Sequence, residues 1–213
     1  MKKFVAVAAA LLASSAFASP INGTGVPAPI ETGKTTKIQF NNQSNSSFAS
    51  TDIDGVTFAG IGGNLRIAST FAGSYNTNGS RYLDNNEGAT DGIRFDFDDP
   101  VSAFAFNFGA SDVIWTLSAY SVSGALLESR TLAPTRGGNN GAYFGLADAG
   151  ISYALLTAAS HDYIMLDNFT YAGQAASGGA PASEVPEPGS LALLGLGLAG
   201  VWAATRRQQQ RKA

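Results

Sequence analysis

Cysteine is absent from the 213 residues, and histidine occurs once, at His161. Without cysteine the chain has no disulfide bond, no cysteine-ligated zinc and no thiol nucleophile. A single histidine also argues against catalytic zinc and non-haem iron, because those sites usually take two or more histidine ligands. Ser160 and Asp162 flank His161, but the members of a catalytic triad converge from separate parts of a chain. We therefore expect His161 in a surface loop and predict no catalytic residue.

Basic residues are scarce as well. Charged residues make up 14% of the sequence, and the formal net charge is −3. Between Ser19 and Ser183, seven basic side chains stand against 14 acidic ones. Nucleic acid is bound through clustered lysine and arginine. This composition therefore excludes nucleic acid as the expected partner.

The sequence also lacks an apolar run long enough to span a bilayer comfortably. The longest, Leu191–Ala204, has 14 residues, whereas a transmembrane helix usually needs about 20. The run has no polar face, and Arg206 and Arg207 follow it, which is typical of the cytoplasmic end of a membrane segment. We predict a short hydrophobic helix that occupies the inner membrane at least transiently. A buried helix or a free apolar tail is the alternative.

The first 18 residues have the pattern of a secretory signal peptide. Lys2 and Lys3 precede the apolar stretch Phe4–Leu12, and Ala16 and Ala18 form an A-x-A cleavage site. We predict an N-terminal signal helix, passage through the Sec translocon, and cleavage after Ala18. The chain is therefore expected to leave the cytoplasm.

The C-terminal segment combines three features in a fixed order. Val185-Pro186-Glu187-Pro188 cannot be helical, because proline lacks an N–H and disfavours helix in the preceding residue. The short apolar run and then the basic stop, Arg206 and Arg207, follow it. This order resembles the PEP-CTERM sorting signal of Gram-negative bacteria that make extracellular polymer. The resemblance implies processing near Pro-Glu-Pro by exosortase, a membrane protease-transpeptidase. It also implies sorting from the inner membrane to the cell envelope, the outer surface or the extracellular space.

These signals divide the chain into five parts. We predict a signal peptide at 1–18, an extended arm or loose first strand at 19–33, a β-sandwich domain at 34–172, a flexible linker at 173–184 and the sorting signal at 185–213. The linker is rich in glycine, alanine and serine, as flexible tethers are. The sandwich domain is long enough to bury a core of its own.

The central part reads as short strands separated by turn residues. Ile93, Phe95 and Phe97 alternate with polar residues, as in a strand with one buried face. Many short strands at near-regular spacing predict an all-β fold, an antiparallel two-sheet sandwich of jelly-roll type. We expect a turn at Asp98-Asp99-Pro100 and a hairpin at Ser123-Gly124. The predicted strands are Thr35–Phe40, Gly55–Ala59, Asn64–Ala68, Gly92–Phe97, Val101–Phe108, Val113–Val122, Leu126–Leu132, Tyr143–Leu146, Ile151–Thr157 and Tyr163–Tyr171.

The span 91–171 is similar to a jelly-roll domain found in exported PEP-CTERM proteins, and related sandwiches include carbohydrate-binding modules. The features that carry this resemblance are the strands around Asp99-Pro100, the hairpin at Ser123-Gly124 and the closing strand to Tyr171. Sugar binding needs exposed aromatic rings. The candidates are Trp115, Tyr75, Tyr82, Tyr120 and Tyr143. Tyr75 and Tyr82 lie in a polar stretch and are the predicted glycan contacts, whereas we expect Trp115 in the core.

Acidic residues provide the only candidate metal ligands. Asp96 and Asp98 carry hard oxygen ligands of the kind calcium prefers, and Asp167 resembles the position at which structural calcium joins the last strand in carbohydrate-binding jelly rolls. No EF-hand spacing occurs, and turns or a solvated strand face explain the same residues. No other cofactor is predicted.

Three functions are compatible with these observations. The first is a non-enzymatic exported protein that is sorted to the cell envelope or extracellular matrix. The second is a carbohydrate-binding module for exopolysaccharide. The third is an extracellular hydrolase that uses Asp96 with another strand carboxylate.

Overall fold

The computed structural model describes residues 19–27, 35–86 and 91–173. All described residues lie within the first of the two parts of the chain, residues 1–175. The predicted linker begins one residue too early, because Gly173 still belongs to the last strand. The rest of the linker, the predicted signal helix, the short hydrophobic helix and the sorting signal lie outside the described residues. Within the described ranges, no helix is long and apolar enough to cross a membrane.

The described residues form twelve strands and one 3-10 turn, Phe40–Asn42. All strand pairs are antiparallel. The strands are β1 Ser19–Gly23, β2 Thr35–Ile38, β3 Ser46–Phe48, β4 Ser50–Ile53, β5 Val56–Ile61, β6 Leu65–Ala68, β7 Tyr82–Asp84, β8 Gly92–Gly109, β9 Trp115–Tyr120, β10 Leu126–Leu132, β11 Tyr143–Ala158 and β12 Met165–Gly173.

The strand register separates two layers. The first layer runs β4, β5, the first part of β8, the last part of β11, β9 and β10. In the second layer, β1 pairs with the first part of β11, which pairs with the last part of β8 and then β12. On its other side β12 pairs with β2 and β7, and β6 and β3 follow β7. The predicted all-β antiparallel sandwich is confirmed.

β8 and β11 pass through both layers, so the strands form one continuous folded sheet. The predicted turn at Asp98-Asp99-Pro100 is therefore wrong, as is the division of β11 into two strands. Strand pairing is irregular between Asp96 and Val101, and residues 98–100 are exposed. Proline is tolerated there because no regular ladder hydrogen bond needs its missing N–H. The turn residues bend the strand without ending it.

Phenylalanines from both layers meet in the core. The Phe169 ring on β12 lies 5.2 Å from that of Phe58 on β5 and 5.1 Å from that of Phe95 on β8, measured between centroids. Each fully buried phenylalanine contributes about 1.5–3 kcal/mol. Trp115 is 1% exposed, as predicted. The alternation predicted around Phe95 is confirmed, because its apolar neighbours are buried and its polar ones are not.

The first residues of the predicted arm belong to the folded domain. Ser19–Gly23 forms β1, which pairs with β11 from Ser19 opposite Ala147 to Gly23 opposite Tyr143. Most of its side chains are exposed, so its position depends mainly on this pairing.

Candidate functional site

Four loops meet at one end of the sandwich and enclose an open pocket of about 670 Å³. They connect β6 to β7, β8 to β9, β10 to β11, and β11 to β12. The residues that line the pocket are Phe71, Tyr75, Ala110, Asp112, Arg136, Gly137 and Tyr163. The volume is typical of a small-molecule or cofactor site.

Three aromatic rings line the pocket. The Phe71 ring is edge-to-face with Tyr75, with centroids 5.9 Å apart and planes at 87°. It also meets Tyr163 at 6.4 Å and 63°. Phe71 is 42% exposed. An edge-to-face contact covers a face of only one ring of each pair, so the remaining ring surfaces form an aromatic wall of the pocket. Tyr75, one of the predicted glycan contacts, therefore lines the pocket. The contact with a glycan stays a prediction.

Tyr82 is fully buried, so the prediction that it is an exposed glycan contact is wrong. It begins β7 and pairs with Ala68 of β6, which places its ring beneath the pocket and not in the loop. Its hydroxyl accepts a hydrogen bond from the Phe71 main-chain N–H at 3.3 Å and lies 3.4 Å from the Tyr163 hydroxyl. Tyr82 thus holds two aromatic residues of the pocket in place.

An ion pair between the buried Asp84 and the partly exposed Arg66 supports the Tyr163 hydroxyl. The Tyr163 hydroxyl donates to Asp84 Oδ2 at 3.3 Å, and Asp84 pairs with Arg66 at 2.9 Å. Burial, the bond with Tyr82 and the charge of Asp84 raise the pKa of Tyr163 well above its usual range. Burial also raises the pKa of Asp84, although Arg66 opposes that shift. Tyr163 therefore remains a neutral hydroxyl at physiological pH.

Asp112 and Arg136 provide the charged groups of the pocket, and both are exposed. The main-chain N–H of Arg136 donates to the Ser111 carbonyl at 2.8 Å. Asp162 accepts from the Asp112 N–H and from Trp115 Nε1 at 2.8 Å. The backbone that carries both charged groups is therefore fixed to the domain.

The backbone is strained at three lining residues. Tyr75, Ala110 and Arg136 have φ angles of 52°, 66° and 47°. Non-glycine residues in this region cost about 1–3 kcal/mol each and cluster at functional sites. A Cβ atom on Gly109 would collide with the Tyr75 carbonyl oxygen. Close packing against this glycine thus holds Tyr75 in its strained conformation.

Asparagine side chains tie the loops together beside the pocket. Asn76 Nδ2 donates to the Phe108 carbonyl at 2.8 Å, and Asn76 Oδ1 accepts from the Gly141 N–H at 2.9 Å. Asn107 Nδ2 donates to the Gly141 carbonyl at 2.8 Å, and Asn168 Nδ2 donates to Asn107 Oδ1 at 2.9 Å. Because Asn76 follows Tyr75, this amide network also fixes the pocket wall.

The structure does not bring the three predicted calcium ligands together. Asp96 lies opposite Tyr153 on one part of β8, and its carboxylate binds the Arg94 guanidinium. Asp167 lies opposite Asn107, on the far part of the same strand. In the part of the chain that is described, no group of three or more histidine and acidic side chains could hold a metal ion. The structure therefore does not bring Asp96 and Asp98 together with Asp167 in one site, and calcium binding itself stays a prediction.

Asp167 has a structural role instead. It is fully buried, and its carboxylate accepts from the main-chain N–H groups of Asn78 at 2.8 Å and Asn168 at 2.7 Å. Burial raises the pKa of Asp167 to about 6, although these hydrogen bonds oppose the shift. Asp167 therefore connects β12 to the loop that carries Phe71 and Tyr75.

His161 lies at the surface, as predicted. Its Nδ1 atom is 3.3 Å from Asp91 Oδ1, and the two side chains are 75% and 64% exposed. This exposed pair is separate from the residues that line the pocket.

The fold and its pocket define an antiparallel β-sandwich with a binding-type cavity at one loop end. Residues 184–208 of the same chain match the family model of the PEP-CTERM protein-sorting motif. The chain therefore carries this sorting motif, and the resemblance based on Val185, Pro186, Glu187 and Pro188 is confirmed. The predicted basic stop, Arg206 and Arg207, also falls within the match. Ala16 and Ala18 of the predicted cleavage site lie outside the described residues.

Solved structures similar to the domain come from several proteins. A mutant of the carbohydrate-binding module CBM29-2 is 13% identical in sequence and has a TM-score of 0.37. The alignment covers 66% of this chain and 86% of the mutant's chain. A DUF4465 family protein from Bacteroides caccae is 9% identical, covers 72% and 100%, and has a TM-score of 0.36. A family 6 carbohydrate-binding module is 15% identical, covers 65% and 93%, and has a TM-score of 0.32. A comparison with curated proteins finds no match.

Proposed function

We propose that the chain is a non-enzymatic exported protein, sorted to the cell envelope or extracellular matrix, whose β-sandwich binds exopolysaccharide in the loop-end pocket. The motif at residues 184–208 supports the sorting part. In this proposal the chain crosses the inner membrane through the Sec translocon and is held there transiently. An exosortase-type protease-transpeptidase then processes it near Pro186-Glu187-Pro188.

The observation that carries the binding function is the aromatic wall beside two charged side chains. The C–H face of a sugar ring packs against an aromatic face, while its hydroxyl groups need hydrogen-bond partners at fixed positions. Phe71, Tyr75 and Tyr163 supply the rings, and Asp112 and Arg136 supply the hydrogen-bonding groups. The pocket is open, so an internal sugar unit of a longer chain can enter it.

The carboxylates around the pocket favour binding over hydrolysis. Most glycoside hydrolases use two carboxyl groups on either side of the scissile bond. Asp84 is paired with Arg66, and Asp162 accepts hydrogen bonds from loop N–H groups and the indole of Trp115. Asp112 is the one acidic residue among those that line the pocket. Asp96, the predicted hydrolase acid, is bound to Arg94 on the outer sheet face.

Retention on immobilised exopolysaccharide tests the binding function. We expect the purified chain to be retained, and Phe71→Ala to remove most of that retention because it deletes one pocket wall. Val122→Ala is the control, since Val122 is 86% exposed at the β9–β10 turn. Equal retention of the two variants would contradict the assignment of the pocket.

Mass spectrometry of the secreted protein tests the sorting function. We expect material whose C-terminus lies near Pro188, and we expect Glu187→Ala to leave the chain unprocessed in the membrane fraction. Recovery of secreted protein that extends to Ala213 would contradict processing.

A further inference from the structure

Glu128 on β10 has a buried oxygen without a partner. Its Oε2 atom is shielded from solvent and forms no hydrogen bond within the described part of the chain. A buried carboxylate oxygen normally has a hydrogen-bond partner, because leaving it unpaired costs about 1–3 kcal/mol. Burial and the nearby charge of Asp148 raise the pKa of Glu128, and Arg130 opposes the shift. A cation at this position would satisfy the oxygen and stabilise the charged form of the carboxylate.

The strand register identifies what lies beside Glu128. Arg130 is two residues further along β10, and its Nη1 atom donates to the Ile21 carbonyl of β1 at 2.9 Å. β10 therefore lies over the pair formed by β1 and β11. Leu126, at the start of β10, lies level with Tyr153 of β11, because both pair with Tyr120. From Arg130, the strand therefore runs back through Glu128 towards the part of β11 that follows Ala147, and Ala147 pairs with Ser19. This direction places Glu128 towards the Ser19 end of β1.

We propose that cleavage after Ala18 creates an α-ammonium group on Ser19 that pairs with the Glu128 carboxylate and fastens β1 to the domain. In the uncleaved chain, the nitrogen of Ser19 is a neutral amide. Hydrolysis of the Ala18–Ser19 peptide bond by signal peptidase transfers the water hydroxyl to the Ala18 carbonyl carbon and a proton to the Ser19 nitrogen. The released amine binds a second proton at neutral pH, since α-amino groups have a pKa of about 7.7–8.0.

This pairing links maturation to folding. Only two of the five residues of β1 are partly buried, so β1 is held at the sheet edge mainly by its backbone hydrogen bonds and by the Arg130 side chain at Ile21. A charge-assisted hydrogen bond at its first residue prevents fraying from the free end. The sandwich therefore reaches its full stability only after the signal peptide has been removed.

Hydrogen exchange of the β1 amides tests the proposal in the exported, cleaved chain. Mass spectrometry must first find Ser19 at the N-terminus. The α-amine is then acetylated selectively near pH 6.5, where lysine amines stay protonated. We expect acetylation to accelerate β1 exchange about three- to tenfold in the parent chain, and to have no effect in Glu128→Gln, which keeps the side-chain size.

Zero-length carbodiimide coupling gives a second measurement that does not depend on stability. It joins an amine to a carboxylate in direct contact, so peptide mapping should find a Ser19–Glu128 crosslink in the parent chain and none in Glu128→Gln. Absence of that crosslink, equal acceleration of exchange in both chains, or an N-terminus other than Ser19 would each overturn the proposal.

Discussion

Aromatic residues that are at least partly exposed lie in two regions with different ring geometry. On the outer face of the first layer, Tyr120 and Tyr153 stack in parallel, with centroids 4.8 Å apart and planes at 7°. The Arg94 guanidinium lies 4.0 Å from the Tyr153 ring centroid. In the loop-end pocket, Phe71 meets Tyr75 and Tyr163 edge-to-face. The parallel sheet rings cover a face of each other, whereas each edge-to-face contact in the pocket covers a face of one ring only. Exposure alone therefore does not make an aromatic residue a binding site.

The backbone determines both arrangements of rings, in a different way for each. Tyr120 and Tyr153 are directly paired across β9 and β11, and neighbouring strands lie about 4.7–4.9 Å apart, which brings paired rings into contact. The pocket rings come from loops with strained φ angles at Tyr75 and Ala110. Regular pairing thus produces a closed stack, and irregular backbone produces an open wall.

Substitution of Gly109 should have the largest effect on this difference. Gly109→Ala places a methyl group against the Tyr75 carbonyl, and overpacking of this kind costs about 1–3 kcal/mol. Urea unfolding should show that loss together with weaker glycan binding. Gly173→Ala is the control, because a Cβ there meets no neighbour and Gly173 lies outside the pocket lining. Comparable losses in both variants would contradict the close packing of Tyr75.

The next largest effect should be on the pH dependence of unfolding, through Asp167, which holds the loop that carries Tyr75. The pKa of Asp167 rises from an ordinary value of 3.8 to about 6 in the folded chain. Folding therefore favours the protonated carboxyl group of Asp167. Its contribution to the free energy of unfolding is fully present below pH 3.8 and is lost as the pH rises through 6. Its full size is up to about 3 kcal/mol. We expect Asp167→Asn to flatten the stability profile between pH 4 and 7, and an unchanged slope would contradict the shift.

Removal of the sheet stack should have a smaller effect. Tyr120→Ala deletes one ring of the parallel pair, which contributes about 1 kcal/mol beyond surface burial. Urea unfolding should show a modest loss of stability, with the pocket unaffected. A loss above about 3 kcal/mol would mean that the stack supports the core.

Calcium should have the smallest effect, because Asp96 and Asp167 lie on distant parts of the β8 ladder. A ligand that binds only the folded state must raise the melting temperature. We expect no change on adding calcium in the millimolar range, measured by calorimetry against magnesium. A rise specific to calcium would show that the chain holds the ion elsewhere.

The sequence predicted the fold because local alternation records which face of a strand is buried. It identified the inward face around Phe95, the buried Trp115 and the polar loop that carries Tyr75. It could not predict the continuity of β8 across Pro100, which depends on irregular pairing with β11. The prediction that Tyr82 is exposed is wrong because its burial follows from pairing with Ala68. No local sequence pattern indicates which residues of the two strands pair.

Most of the pocket could not be predicted from the sequence, because its position also depends on which strands pair. Arg136 and Tyr163 come from loops distant in the chain, and only the packed sandwich brings them beside Phe71. One local signal was available. Phe71 is an isolated large apolar residue in a segment of serine, threonine, glycine and asparagine, and an apolar residue in such a loop often faces a ligand or a partner.

Isothermal titration of an exopolysaccharide fragment into two tyrosine variants tests the central claim most directly. Both variants lose one half-buried ring, Tyr75→Ala from the pocket and Tyr120→Ala from the sheet stack. If the open wall binds the sugar, Tyr75→Ala should weaken affinity at least about tenfold, corresponding to about 1.4 kcal/mol, whereas Tyr120→Ala should change it less than about twofold. A larger loss in Tyr120→Ala, or equal losses in both, would contradict the pocket as the glycan site.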